Sequence, residues 1–120
     1  MEVVNRNGVE PFITKDSSQI REILAPANSS IKNQSLAEAR LAPGMSTDEH
    51  FHPKAEEIYY ILEGRGSIKI KDEVREVGPG DGIAILPGKR HKLWNPGQSD
   101  LVFLCCCSPA YSHDDTVVVE

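Results

Sequence analysis

His50 and His52 are two residues whose type and spacing could bind a metal ion. On an extended strand, residues two apart share a face, with Cα atoms roughly 6.5–7 Å apart. Two imidazoles at that separation can reach one point about 2.1 Å from each ligating nitrogen. On a helix the same spacing would place them about 200° apart. The pair therefore favours a metal site on a strand, the alternative being a pair of surface or partly buried histidines.

Two further candidate ligands, Glu57 and His91, begin later segments of strand character. Glu57 shares a face with Tyr59 and Ile61. Each has an ordinary alternative when taken singly. Glu57 and the preceding glutamate are compatible with a solvated pair at a strand start, and His91 lies in a charged stretch, 89–92, that is typical of a loop rim. The signal is in the combination of the residues and in their spacing.

The elements that must position these residues are short strands. From residue 35 onward, apolar runs are divided by turn residues, and strands are predicted around 36–42, 57–62, 67–71, 83–86, 91–95 and 101–107. Six or more short strands with regular turns are typical of an antiparallel sandwich or barrel. No stretch between these strands has apolar residues at helical spacing, which argues against a parallel sheet with βαβ connections. The prediction is one all-β domain with little or no helix.

The whole chain, 1–120, is predicted to be a single domain in three parts. Residues 1–34 form an N-terminal arm of strand and loop, and residues 35–107 form the barrel. Residues 108–120 are a C-terminal tail that packs back over the domain or pairs with a partner chain. Within the arm, residues 16–24 are compatible with a capped helical turn or with a strand, and periodicity does not decide between them.

Composition excludes several classes of function. The 120 residues carry 13 Lys+Arg against 18 Asp+Glu, a formal net charge of −5, and contain no basic cluster. We therefore expect no nucleic acid partner. No apolar run approaches the ~20 residues of a membrane helix, and no signal-peptide core is present, so we expect a cytoplasmic protein without membrane association. The three contiguous cysteines, 105–107, are an odd number and make a poor disulfide framework.

Strand faces suggest which other side chains line a central pocket. Tyr59 and Ile61 are expected to point inward with Glu57, and Leu93 to point inward with His91. Arg40 could enter the barrel and bind a carboxylate or sugar oxygen, or it could be a surface strand residue with an acidic partner. Alternation on the last predicted strand places the first and third cysteines on one face, where they are interpreted as small buried hydrophobes.

Two segments of the sequence resemble the two motifs of the cupin family. The first has Gly44, five residues, His50-x-His52, four residues, Glu57, six residues and Gly64. The second has Gly80, Gly88, His91 and Asn95 at the family's spacing, with Leu86 in place of the family's proline. The resemblance covers residues 35 to 112 and is closest to the small single-domain cupins of the cupin-2 type.

The resemblance implies a jelly-roll barrel of short antiparallel strands. It also implies that His50, His52, Glu57 and His91 bind one divalent transition metal per chain. Ligands of nitrogen and oxygen suit Mn, Fe, Co, Ni or Zn, and the sequence does not choose among them. His113 matches neither motif and is expected to be solvated.

The expected function is that of a metal-dependent enzyme acting on a small organic molecule, of the dioxygenase, decarboxylase or isomerase type. The alternative is a non-catalytic cupin that binds a small ligand such as a sugar or a carboxylate.

Small cupins commonly form dimers, and both faces of the run from Ile58 to Leu62 are apolar. A barrel wall that faced water would not favour this pattern, so a homodimer is predicted.

Overall fold

Eleven β-strands and two short 3-10 turns form the chain in the computed structural model, which describes residues 1–120. The strands are β1 (Phe12–Ile13), β2 (Gln19–Leu24), β3 (Ser35–Leu41), β4 (His50–Phe51), β5 (Glu56–Glu63), β6 (Gly66–Ile70), β7 (Glu73–Val77), β8 (Gly82–Ile85), β9 (His91–Trp94), β10 (Leu101–Ser108) and β11 (Val117–Val118). The 3-10 turns are Arg6–Gly8 and His113–Asp115. The predicted all-β class with little helix is confirmed.

The strands form two antiparallel sheets whose apolar faces enclose one core. The six-stranded sheet has the order β1-β2-β3-β10-β5-β8, and the five-stranded sheet has the order β11-β4-β9-β6-β7. This is the expected jelly-roll barrel. The core residues come from both sheets: Ile20, Ala37, Ala39, Leu41, Tyr59, Ile61, Ile68, Ile85, Leu93, Leu101, Phe103 and Cys105.

Strict alternation along β5 determines what enters the barrel. Glu57, Tyr59 and Ile61 are buried, whereas the residues between them are exposed. β5 pairs with β10 on one side and β8 on the other, so its register is fixed from both edges. A slip of one residue would turn Glu57 to the outside, and the pairing therefore holds the carboxylate in place.

The structure decides one open question and adds strands, among them β7 and β11, that were not predicted. In the segment 16–24, residues 19–24 form β2, because their backbone groups pair with β3. β7, which was not predicted, pairs with β6 along its whole length although four of its five residues are exposed. Its sequence has no apolar alternation because only one of its residues is partly covered by the core.

Gly64, the last position of the first motif, has a geometric reason for being glycine. Its φ of +82° lies in the left-handed region, and an added Cβ would lie 2.5 Å from the backbone oxygen of Asp100. Glycine therefore permits the turn from β5 into β6.

The C-terminal residues return to the five-stranded sheet. β11 pairs with β4, the strand that begins with His50. The ammonium group of Lys15 donates a hydrogen bond to the backbone oxygen of Thr116 at 2.8 Å, which links this segment to the N-terminal arm. No helix in the structure is long and apolar enough to cross a membrane.

Candidate metal centre

Four buried side chains from both sheets meet inside the barrel. His50 lies on β4 directly opposite His91 on β9, and His52 comes directly after the end of β4. Glu57 enters from β5 in the other sheet. One potential ligand atom from each of the four lies within 4.8 Å of the others. The structure thus brings together the four residues that the sequence singled out.

Each imidazole in this cluster is oriented by a hydrogen bond from its Nδ1 atom to a backbone carbonyl. The acceptors are Asp48 for His50 at 2.7 Å, Asp115 for His52 at 3.1 Å and Lys89 for His91 at 2.9 Å. With Nδ1 carrying the proton, the lone pair of a neutral imidazole is on Nε2. Histidines that bind metals are held by their second nitrogen in the same way.

The carboxylate of Glu57 faces these nitrogen atoms. Its Oε1 lies 3.3 Å from Nε2 of His52 and 3.6 Å from Nε2 of His91. Both Oε1 of Glu57 and Nε2 of His91 are buried without a hydrogen-bond partner. Buried polar atoms rarely lack partners, so these two indicate a group that binds between them.

Ionisation at this cluster is governed by burial and mutual attraction. Burial alone would raise the pKa of Glu57, but the neighbouring His52 and His91 outweigh it and lower the pKa to about 2. Burial and the nearby His91 lower the pKa of His50. Burial also opposes charge on His52, but Glu57 exceeds that effect and raises its pKa. The site therefore holds a buried negative charge that requires a positive partner, either a proton or a cation.

The second carboxylate oxygen of Glu57 is held by a thiol. The Sγ atom of Cys107 donates a hydrogen bond to Oε2 of Glu57 at 3.2 Å. Burial, together with the charge of Glu57, raises the pKa of Cys107, so the thiol keeps its proton and acts as donor. Cys105 and Cys107 lie inside the barrel and Cys106 is partly exposed, as alternation predicted.

A small cavity adjoins the cluster. Its volume is about 30 Å³, and Tyr59, Phe103 and Tyr111 contribute aromatic walls. Tyr59 packs on Phe103 with ring centroids 4.9 Å apart and lies 5.9 Å from the His91 ring. A larger cavity, about 310 Å³, lies between β6, β7 and β8 and contains none of the four clustered residues. Chemistry at the cluster is therefore restricted to a small space.

A family model described as "Cupin domain" matches residues 37–107, which include all four clustered residues. The chain belongs to the cupin family. This membership agrees with the two motifs and with the barrel described above.

Relatives of this cupin carry different names. An uncharacterised protein of Methanocaldococcus jannaschii is 49% identical over 93% of this chain and 90% of its own length. Among solved structures, the polyketide cyclase RemF of Streptomyces resistomycificus is 26% identical, with a TM-score of 0.79 over 90% of this chain and 79% of its own. A predicted oxalate decarboxylase of Thermotoga maritima is 28% identical, with a TM-score of 0.79 over 90% of this chain and 99% of its own.

The four residues expected to line a pocket in this cupin have different positions. Tyr59 lines the cavity at the cluster. Ile61 and Leu93 are fully buried in the core and do not line that cavity. The pocket expectation for Arg40 is corrected: its side chain lies on the outer face of β3, where it pairs with Asp100 at 3.1 Å. Inward positions on β3 are taken by small apolar residues, so the surface alternative describes Arg40.

Sequence reasoning missed three residues that contact the cluster of this cupin. Cys107 holds Glu57, the backbone of Asp115 holds His52, and a carboxylate oxygen of Asp16 lies 3.2 Å from Nε2 of His50. Asp16 and Asp115 lie outside both motifs, in the N-terminal and C-terminal segments. No local pattern marks them, because their proximity arises from the way both termini pack against the barrel.

Proposed function

We propose that this cupin binds one divalent transition-metal ion per chain through His50, His52, Glu57 and His91. One observation supports this proposal: three imidazoles surround a buried carboxylate oxygen of Glu57 that has no hydrogen-bond partner. Each imidazole is oriented by a hydrogen bond to a backbone carbonyl. A cation at that point satisfies both the lone pairs and the negative charge.

The geometry and chemistry of the donor set fit such an ion. Ligands at right angles around an ion with bonds of about 2.1 Å are about 3.0 Å apart. The separations from Oε1 of Glu57, 3.3 Å to His52 and 3.6 Å to His91, are near that value. Three neutral imidazoles and one carboxylate give a site of charge +1 and suit Mn, Fe, Co, Ni or Zn.

The cavity favours a small organic molecule with oxygen donors as the substrate. Its volume of about 30 Å³ admits little more than a water molecule unless neighbouring side chains move. A bound divalent ion supplies Lewis acidity, and in some cases redox chemistry, to such a molecule. A predicted oxalate decarboxylase and a polyketide cyclase among the similar structures support an enzyme, and the type that we propose is a decarboxylase, dioxygenase or isomerase.

Non-catalytic binding of a carboxylate or a sugar is the second candidate. Burial raises the pKa of Tyr59 and Cys105 well above the usual values, so these cavity residues remain protonated at neutral pH. They can donate hydrogen bonds to a ligand, but they do not serve as bases. Hydrogen-bond donors of this kind suit the oxygen atoms of a carboxylate or a sugar.

Oxalate is a suitable first probe because it is a small dicarboxylate. We expect calorimetry to detect oxalate binding to the metal-loaded protein and to the variant His113→Ala, whose histidine is exposed. The variant His91→Ala should not bind it. Analysis of the same mixtures by NMR separates the candidates: conversion of oxalate supports the enzyme, and binding without conversion supports the binding protein. Equal binding by metal-free protein would contradict both.

A homodimer is also proposed, on the outer face of β5. Ile58, Tyr60 and Leu62 lie side by side there with exposed fractions of 52%, 43% and 39%. The same sheet carries Leu104 and Cys106 on the adjacent β10, both partly exposed. Contiguous apolar surface of this kind is typical of a protein interface. In a symmetric dimer, the same face of a second chain would bury these residues.

A further inference from the structure

Glu22 is an acidic residue at an inward-facing position of β2. Side chains alternate along a strand, and Glu22 shares a face with Ile20, which is buried in the core. Its side chain lines the small cavity at the metal cluster, as do those of His52 and Glu57. Glu22 is also partly exposed. It therefore lies at the mouth of the cavity, where the cavity meets solvent.

Pairing across the six-stranded sheet places Glu22 in one row with Tyr59. Glu22 lies opposite Ala37 on β3, Ala37 lies opposite Cys105 on β10, and Cys105 lies opposite Tyr59 on β5. All four side chains line the cavity. The two in the middle of the row are small, so they leave space between Glu22 and the cluster end. Three strand spacings of about 4.8 Å separate the ends of the row, so a molecule that contacts both ends must be extended.

The carboxylate of Glu22 has no hydrogen-bond or ion-pair partner in the protein. Burial is the one influence that shifts its pKa, and it raises the pKa above the ordinary value. Asp16, which lines the same cavity, differs because it accepts hydrogen bonds from the hydroxyls of Thr14 and Ser18, both at 2.6 Å. A partly buried carboxylate without a donor is unfavourable, and a ligand that supplied a donor would stabilise it.

The cavity walls carry carboxylates but no lysine or arginine. Asp16, Glu22 and Glu57 all line the cavity. A divalent ion at the cluster offsets two of these three charges, and Glu22 keeps a negative charge at the mouth. This distribution suits a ligand with an acid group at the ion and a hydrogen-bond donor or a cation at its other end. A second carboxylate at the mouth would be repelled.

We propose that Glu22 selects a molecule that carries a hydroxyl or ammonium group at the end remote from the ion. The inference rests on the proposed function and narrows its substrate to a hydroxy acid or an amino acid. The carboxylate of Glu22 accepts the hydrogen bond from that group. The enclosed volume of about 30 Å³ takes only the acid group, and the rest of the molecule lies in the mouth. Oxalate fits the same arrangement because both of its acid groups can stay at the ion.

The test measures ligand binding to the Mn²⁺-loaded wild type, Glu22→Gln and Glu73→Gln by calorimetry. The probes are ω-amino acids from 3-aminopropanoate to 6-aminohexanoate, a series that includes different lengths across the cavity. Each is compared with the alkyl acid in which a methyl group replaces the ammonium and with the diacid in which a carboxylate replaces it. Glutamine keeps the size of Glu22 without its charge. Glu73, an exposed residue of β7 that lines the other cavity, is the matched control.

We expect at least one amino acid of the series to bind the wild type about tenfold or more tightly than its alkyl counterpart, because a charge-assisted hydrogen bond forms at the mouth. In Glu22→Gln this preference should fall below about threefold, and the diacid of the same length should bind more tightly than it binds the wild type. Glu73→Gln should match the wild type. A merely structural role of Glu22 would weaken all three kinds of probe alike.

The outcomes separate this inference from the proposed function. No preference for an amino acid at any length, or a preference that persists in Glu22→Gln, would overturn the role of Glu22 and leave the metal site intact. Equal weakening of all probes in Glu22→Gln would overturn it as well. Failure of the wild type to hold any divalent transition metal would instead contradict the proposed function, and the inference with it.

Discussion

At the scale of single residues, Glu57 contributes the only carboxylate among the four clustered side chains, and its neighbours determine its orientation. The histidines face Oε1, and the thiol of Cys107 donates to Oε2. Partners of this kind in the outer shell of a metal site commonly change affinity by about 10–100-fold. Cys107 is therefore more than a small buried hydrophobe, the role that the sequence suggested.

Cys107→Val tests this contact because valine fills similar space without a donor. We expect the Kd of Glu57-dependent metal binding to rise about tenfold, since Oε2 loses its only protein donor. Calorimetric titration with Mn²⁺ measures the change. Cys106→Val, on the opposite face of the strand, is the control, and Cys107→Ser should restore part of the affinity. Equal affinities for Cys107→Val and the wild type would contradict the role.

The four clustered residues could be predicted from the sequence because both motifs are local and their spacing is regular. The side of the sheet occupied by Arg40 could not, since both faces of β3 carry residues compatible with burial. The contact between Asp16 and His50 could not be predicted for a different reason. It joins two segments that are distant in the sequence, and a single aspartate in a polar turn is common. Residue chemistry identifies candidates, but pairing between distant segments decides which of them meet.

At the scale of elements, the C-terminal segment completes the wall of the site. The carbonyl of Asp115 orients His52, and the carboxylate of Asp115 accepts hydrogen bonds from the amides of Lys54 and Ala55, both at 3.0 Å. The loop between β4 and β5 therefore depends on a 3-10 turn more than 50 residues later. β5 itself could be predicted from its run of Ile and Tyr residues, whereas β7 and β11 could not, because short or exposed strands carry no periodic signal.

Asp115→Ala tests this dependence. The amide of Ala55, a residue that is 3% exposed, would lose its acceptor. An unsatisfied buried donor costs about 1–3 kcal/mol, so we expect the free energy of unfolding to fall by about that amount. Urea denaturation of metal-free protein measures it. Asp114→Ala, at an exposed neighbour, should differ from the wild type by less than about 0.5 kcal/mol, and a similar small effect for Asp115→Ala would refute the argument.

At the scale of the whole molecule, the outer face of β5 and β10 in the six-stranded sheet carries an exposed apolar patch. Ile58, at its centre, is half exposed and lies on the opposite side of β5 from Glu57. A second chain on this face would cover the apolar residues without contacting the cavity. The proposed dimer and the proposed metal site are therefore independent of each other.

Ile58→Lys tests the dimer by placing a charge in that face. We expect sedimentation at micromolar concentration to give twice the chain mass of 13.2 kDa for the wild type and the chain mass alone for the variant. Val74→Lys, at an exposed valine on β7 of the other sheet, should remain dimeric. A wild type that sediments as a single chain would contradict the proposal.

The central claim, a metal ion held by three histidines and one glutamate, is tested most directly by metal content per chain. Elemental mass spectrometry should be applied to the wild type, His52→Ala and the exposed control His113→Ala, each purified without a metal-affinity tag. We predict about one equivalent of a divalent transition metal in the wild type and in His113→Ala, with most of it lost in His52→Ala. The same metal content in all three proteins, or none in the wild type after reconstitution, would contradict the claim.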